Sequence, residues 1–327
     1  MGATELFLSC DWGTSAFRLR VIKMPELTIL AEESTKQGTA TTFALWQQQP
    51  QKDRLTFYTT ILQQHIQALE QKLHMSLDNI PLIISGMASS TIGMIDLPYK
   101  DIPFMTNGSD LLVHTVKATD LFLHDMLIIS GVKTDSDVMR GEETKIIGSM
   151  NATITGEQLL ITPGTHSKHV RVKGNRAVDF RTYMTGEFFA LLSQKSVLAA
   201  SVEEGDTLDI PANRESFKKG ISDSLQQNLL HSCFEVRVNN LFDRYTKQQS
   251  YYYLSGLLIG TEVKELLPAD VATITVVIND VLRPYYQTAF EVLGLSDKMI
   301  IKSADESLIK GQYIIYRQLK NKVDGSN

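Results

Sequence analysis

Two short turns in this chain carry the residue types that hold phosphate. In the first, Asp11-Trp12-Gly13-Thr14-Ser15, an aspartate at a strand end precedes a glycine and two hydroxyl residues. Gly13 lets backbone N–H groups come close to a phosphate oxygen, Thr14 and Ser15 add donors, and the Asp11 carboxylate suits a Mg²⁺ shell. In the second, Gly164 and Thr165 repeat the arrangement, with Ser167 and Lys168 supplying a donor and a charge. Turns of this kind also close ordinary hairpins. Their recurrence in equivalent places makes opposed phosphate clamps the sharper reading. His166 and His169 read as solvated strand residues rather than catalytic groups.

Between the turns, Met139-Arg140-Gly141-Glu142-Glu143-Thr144 opens a helix with paired carboxylates. One of Glu142 and Glu143 is expected to be a first-turn acid favoured by the helix dipole. The other is a candidate base, because an alcohol attacking a γ-phosphoryl group must give its proton to an acceptor within hydrogen-bond reach. The spacing leaves open which is which. Arg140 and Arg181 carry planar guanidinium groups suited to a substrate carboxylate; the alternative is local pairing with acids such as Asp179 or Glu187. Ser85-Gly86-Met87 follows a short apolar run and makes a candidate substrate-facing loop.

The elements that must position these residues come in two similar sets. Leu6 to Leu8, the alternating run Phe17 to Val21 and a third strand at Leu27 to Ala31 surround the first turn. Leu159 to Ile161, His169 to Val172 and Ala177 to Phe180 surround the second, with a turn at Lys173 to Arg176. The repetition predicts two similar α/β halves. Helical spacing is expected over Asp53–Met75, Glu142–Met150, Thr185–Lys195, Glu215–Leu230, Gln249–Leu266 and Pro284–Leu293, and in a final helix after Ser303 that crosses back to the first half. Strands are expected at Ile80–Ser85, Ala118–Leu123, Leu127–Ser130 and Thr273–Ile278. The domain limit is placed near residue 123, giving domains 1–123 and 124–327. Gly256 and Gly260, four apart on a helix, are read as tight helix packing.

A length of 327 residues suits two packed domains at roughly 150 residues each. With 32 basic and 37 acidic residues and no dense cationic block, nucleic acid is not an expected partner. Two cysteines, Cys10 and Cys233, point to buried thiols in a reducing compartment rather than a disulfide framework. Met1 to Cys10 does not read as a secretion signal, and no apolar run approaches the roughly 18 residues of a membrane helix, so a cytoplasmic protein is expected.

The paired turns with an acidic helix start between them resemble the superfamily of sugar kinases, hexokinase, heat-shock chaperones and actin. More narrowly, the chain resembles the 2-dehydro-3-deoxygalactonokinase family. The resemblance rests on CDWGTS at 10–15, SGMASSTIG at 85–93, VMRGEETKIIG at 138–148, TPGTHSKHV at 162–170, DFRTYMTGE at 179–187, FEVR at 234–237 and YLSGLLIGTEV at 253–263. It implies two duplicated ribonuclease-H-like α/β domains with a cleft between them, and ATP-dependent phosphorylation of 2-dehydro-3-deoxy-D-galactonate at its 6-hydroxyl. It further implies that Asp11 organises Mg²⁺, that Gly13, Thr14 and Ser15 form one phosphate loop, and that Gly164 and Thr165 form the other. The base of related sugar kinases is an aspartate after glycine; Glu142 after Gly141 is the matching position, with Glu143 beside it.

Ile278-Asn279-Asp280-Val281 stands where the family usually has a small glycine-bearing adenosine loop, which leaves adenine placement open. Two other functions fit the same residues: a kinase for another acidic sugar, and a nucleotide-dependent switch without sugar phosphorylation. Partners are expected to be small molecules, with a homo-oligomer left open.

Overall fold

The computed structural model describes residues 5–150, 156–205, 207–268, 271 and 273–324; residues 1–4 of the amino-terminal stretch read above lie outside them. The strands are β1 (Leu6–Trp12), β2 (Phe17–Lys23), β3 (Thr28–Thr35), β4 (Leu82–Gly86), β5 (Lys100–Asp101), β6 (Phe104–Met105), β7 (Val113–Val116) and β8 (Met126–Ile129), then β9 (Val132–Lys133), β10 (Val138–Met139), β11 (Glu157–Thr162), β12 (Ser167–Lys173), β13 (Arg176–Tyr183), β14 (Ile274–Ile278) and β15 (Met299–Ser303). The helices are α1 (Thr39–Gln47), α2 (Arg54–Leu73), α3 (Glu142–Ser149), α4 (Thr185–Lys195), α5 (Pro211–Gln226), α6 (Leu229–Leu241), α7 (Lys247–Val263), α8 (Arg283–Val292) and α9 (Ala304–Asp324).

The chain forms two compact units. The first takes residues 1–155, 172–179 and 304–327; the second takes 156–171 and 180–303. The limit read near residue 123 lies inside the first unit.

In the first unit the main sheet runs β3-β2-β1-β4-β8-β7. β1, β2 and β3 form an antiparallel meander, and β4 and β8 then join in parallel register, Cys10 beside Ile84 and Ile84 beside Ile128. β1 is buried on both faces, as its nearly continuous apolar sequence requires. Leu8, Cys10 and Trp12 pack on Tyr58, Leu62, Ile66 and Leu69 of α2, whose start Asp53 caps by accepting the Thr56 N–H. Each such fully buried side chain contributes about 1.5–3 kcal/mol.

Helices α3 and α9 cross so closely that only glycine fits. A Cβ on Gly311 would lie 1.9 Å from the Thr144 carbonyl, and one on Gly148 would lie 1.8 Å from that of Ser307. Gly311→Val is expected to lower unfolding stability by about 3 kcal/mol or more in a urea titration, because backbone and not a pliable side chain must give way. The start of α9 is tied to the meander as well: Asp305 accepts from Arg18 at 2.8 Å and from the buried Arg20 at 3.1 Å.

The second sheet runs β15-β14-β11-β12-β13-β6, with β14 and β15 parallel to β11. The four residues between β11 and β12 and the two between β12 and β13 make successive hairpins. The tip of the second hairpin counts with the first unit, where Arg176 and Ala177 pair with Met105 and Phe104. The strand order 3-2-1-4-5 thus occurs twice, as β3-β2-β1-β4-β8 and as β13-β12-β11-β14-β15. This is the ribonuclease-H-like α/β arrangement, duplicated, of the actin-like ATPases. In the second unit α5 and α7 pack through Gly220, Gly256 and Gly260, where added Cβ atoms would meet backbone or Ser224 Oγ within 2.1–2.4 Å. The glycines of α7 therefore serve helix packing.

Three expectations are corrected. Ala118–Leu123 is a turn holding one isolated bridge, Thr119 with Phe122, and the edge strand is the more polar Val113–Val116. The single helix expected over 215–230 is two, parted where Asn228 caps α6 by accepting the Leu230 N–H. His169 is not solvated: it is 5% exposed and bonded to Glu262. A further helix, Thr39–Gln47, has no counterpart among the expected elements and carries no apolar stripe.

Candidate active site

The first turn closes β1 onto β2, with the Gly13 N–H donating to the Ala16 carbonyl at 2.9 Å. Thr14 and Ser15 project at its exposed tip. The start of α1 braces it from behind. Thr39 and Ala40 donate backbone N–H groups to the carbonyls of Gly13 and Thr14, and a Cβ on Gly38 would strike Thr14 O at 2.2 Å. The turn is thereby fixed by backbone bonds that leave its own hydroxyls outward.

Parallel pairing sets Asp11 beside Ser85 and Trp12 beside Gly86 at the carboxyl ends of β1 and β4. Gly86 holds φ at +93°, and a Cβ there would lie 2.8 Å from Trp12 O and 3.5 Å from the Asp11 carboxylate. Gly141, with φ at +113°, lies against it in turn: its Cβ would be 3.1 Å from the Gly86 Cα. Two glycines in conformations that disfavour other residues therefore bring the first residue of α3, Glu142, up to the strand end that carries Asp11. From α9, the buried Gln312 donates to Cys10 O at 2.9 Å and Ser85 Oγ at 3.0 Å, holding both strand ends. Its polar amide inside an amphipathic helix was the only sequence signal for this role, and the sequence reading passed over it.

The two glutamates differ sharply. Glu143 is fully buried; its carboxylate accepts the Gly141 N–H on both oxygens, at 2.8 and 3.0 Å, and the Thr144 hydroxyl at 3.2 Å. Burial, with the neighbouring Glu142 charge adding to it, pushes its pKa up to about 7. Glu142 is partly exposed and accepts only the Arg140 N–H, at 3.0 Å, among the described residues.

The raised Glu143 pKa makes stability fall with pH. Below about pH 4.5 both folded and unfolded chains hold the proton and its contribution is complete; as pH rises towards 7 the unfolded carboxyl ionises first, and that contribution is lost. The loss is about 3 kcal/mol. Thermal melts at pH 5 and pH 8 should show it, and Glu143→Gln should flatten that part of the profile.

Arg140 is buried and turned into its own unit. Its guanidinium donates to the Ser89 carbonyl, to Ser89 Oγ at 2.7 Å and to Leu97 O at 3.2 Å, and lies 4.1 Å from the centroid of the Tyr99 ring. It holds together the loop that follows Ser85, Gly86 and Met87. Of these three, Met87 is the partly exposed one.

In the second unit Gly164 and Thr165 form the β11–β12 turn, where the Gly164 N–H donates to Ser167 Oγ at 3.3 Å. The start of α4 braces it: the Glu187 N–H donates to Thr165 O, and a Cβ on Gly186 would lie 2.7 Å from Gly164 O. By contrast a Cβ on Gly164 would meet nothing within 4 Å. Behind the turn the buried Glu262 accepts from His169 at 3.0 Å, Tyr286 at 2.9 Å and Thr185 at 2.5 Å, and the Tyr286 hydroxyl also lies 3.3 Å from Ser167 Oγ. His166 pairs with Glu187. Lys168 is buried and donates to Thr182 Oγ1 at 2.6 Å. Arg181 is exposed on β13, and its charge acts on the Tyr183 phenol against the upward push of burial.

Next to Gly164 opens a pocket of about 240 Å³ that sequence reading did not find. Phe189 of α4, Tyr251 and Leu258 of α7, Val281, and Tyr285 of α8 line it, with Thr185 and Glu204 as polar members. Val281 and Leu282 follow the Asn279-Asp280 segment, so the departure from a glycine-bearing loop coincides with an aromatic wall. Among the described residues no cluster of three or more metal-binding side chains occurs, and no helix is long and apolar enough to cross a membrane.

A family model described as 2-keto-3-deoxy-galactonokinase matches residues 11–315. A Rhizobium meliloti protein named for 2-dehydro-3-deoxygalactonokinase is 31% identical over 95% of this chain and 96% of its own. The Escherichia coli 2-dehydro-3-deoxygalactonokinase is 32% identical over 66% of this chain and 72% of its own. A solved Sinorhizobium meliloti structure titled for the same activity superposes with a TM-score of 0.79 at 28% identity, covering 96% of this chain and 99% of that one. With its strand ends, glycine contacts and acidic helix start all inside the matched span, the chain belongs to the 2-keto-3-deoxy-galactonokinase family.

Proposed function

We propose that this protein transfers the γ-phosphoryl group of ATP to the 6-hydroxyl of 2-dehydro-3-deoxy-D-galactonate. The observation that supports this reading most directly is the row Asp11, Gly86, Gly141 and Glu142, packed side by side in the first unit. Glu142 takes the proton from the attacking hydroxyl. The buried Glu143 does not face substrate; it clamps the Gly141 N–H and so fixes the start of α3.

Thr14 and Ser15 in one turn, and the Gly164 and Thr165 backbone in the other, donate to phosphate oxygens. The pocket beside Gly164 takes the adenine, with Tyr251 and Tyr285 as its aromatic walls. Asp11, a half-exposed oxygen donor beside a glycine that leaves its carboxylate room, fits Mg²⁺, which needs few protein ligands when phosphates supply the rest. When bound there it would neutralise charge on the phosphates. Arg181, exposed on its strand, is the candidate for the substrate carboxylate, while Arg140 shapes the loop at Ser85–Met87. The free thiols Cys10 and Cys233 accord with a cytoplasmic setting.

An ADP-release assay over a panel of 3-deoxy-2-keto sugar acids tests the proposal. Turnover should be greatest with 2-dehydro-3-deoxygalactonate and should require Mg²⁺. A higher kcat/KM for a different sugar acid would reassign the substrate, and ATP binding without turnover of any acid would end the kinase reading.

A further inference from the structure

Helix α6 is apolar on two faces, where a surface helix of a globular protein is ordinarily apolar on one. Its inner face is accounted for: Val236, fully buried, and the partly buried Leu229 and Cys233 pack into the core of the second unit. Its outer face repeats Leu230, Phe234, Arg237 and Leu241 at spacings of four, three and four, one stripe on a 3.6-residue helix. Leu230 is 84% exposed, Phe234 55% and Leu241 59%. The stripe continues at both margins, into Phe242 just past the helix and into Val197, whose carbonyl accepts from Arg237 at 3.3 Å.

We infer that this face is where a second copy of the same chain docks, α6 against α6 and antiparallel across a two-fold axis. The spacing is its own mirror about the midpoint between Glu235 and Val236. An antiparallel partner therefore sets Leu230 opposite Leu241 and Phe234 opposite Arg237. Both pairings are favourable, the first apolar and the second a guanidinium against an aromatic face. Self-complementarity of this kind is what an isologous interface requires, and it singles out a second copy over an unrelated partner.

The area agrees. The five apolar side chains present on the order of 600 Å², at roughly 200 Å² for a fully exposed large side chain. A standard interface buries about 800 Å² per partner, and roughly 65% of it is apolar in homodimers, close to 500 Å².

Sedimentation equilibrium on the full chain tests this. The unaltered protein should behave at micromolar concentration as a dimer, twice 36.6 kDa. Phe234→Glu should raise the dimer dissociation constant at least 100-fold, and Arg237→Glu at least tenfold. Both changes fall on the outer face, so melting curves of the separated monomers should match one another. Oxidation of the double variant Leu230→Cys/Leu241→Cys should give a covalent dimer that neither single variant gives. A monomer at 50–100 μM, roughly where a weak interface still associates, would overturn the inference. So would a dimer indifferent to both charge substitutions, since another face would then hold it. Kinase activity enters none of these readouts, so failure here leaves the proposed reaction untouched.

Discussion

Glu142→Gln is expected to reduce the turnover number by roughly 10² to 10⁴-fold while leaving the KM for ATP within about twofold. Amide for carboxylate preserves shape and the hydrogen bond from the Arg140 N–H. It removes only the capacity to accept a proton from the attacking alcohol. Glu143→Gln is the control that gives this weight. It alters a group with no exposure and two bonds to the Gly141 N–H, so its effect should fall on stability and on the pH profile of unfolding, with a smaller loss of rate. Single-turnover measurements with a saturating sugar acid separate the two. Full turnover in Glu142→Gln together with a collapse in Glu143→Gln would move the base by one residue.

That distinction was beyond sequence reading, and the reason is physical. Two adjacent acids at a helix start are equivalent in a string of letters; successive helix positions differ by about 100° in direction, and tertiary packing decides which one meets solvent. The duplicated strand-turn-strand units were legible because alternation and turn residues are local. So was α2, where Tyr58, Leu62, Ile66 and Leu69 keep helical spacing. The misreadings and omissions fall where local pattern is weak. Thr39–Gln47 is rich in threonine and lacks an apolar stripe; it is a helix because its first residues donate to Gly13 and Thr14. Val113–Val116 alternates with polar residues at a sheet edge, while the apolar Leu121 and Leu123 beyond it lie exposed in a turn. His169 looked like one more polar strand residue until Glu262, 93 positions away, proved to be its partner. The aromatic pocket was invisible for the same reason, its tyrosines coming from separate helices.

Gly164→Ala and Gly186→Ala, two substitutions of equal size on either side of one turn, should fail in different ways. At Gly164 the added methyl meets no atom of the protein, and the backbone there does not require positive φ, so the melting temperature should stay within about 1 °C. Its effect should fall on the ligand, because the space it fills opens on the pocket. The KM for ATP should rise by about tenfold or more, with a smaller change in kcat. At Gly186 the methyl would lie 2.7 Å from Gly164 O and 2.8 Å from Thr165 Cα, both main-chain atoms, so the turn itself must move. A displacement near 1 Å at a phosphate-holding turn costs about 10²-fold in kcat/KM, and here a lower melting temperature should accompany it. Isothermal titration with ATP and differential scanning calorimetry on both variants decide the matter. If Gly164→Ala bound ATP as tightly as the unaltered protein, the β11–β12 turn would not be a phosphate loop, and the second unit's part in the reaction would have to be sought elsewhere on its surface.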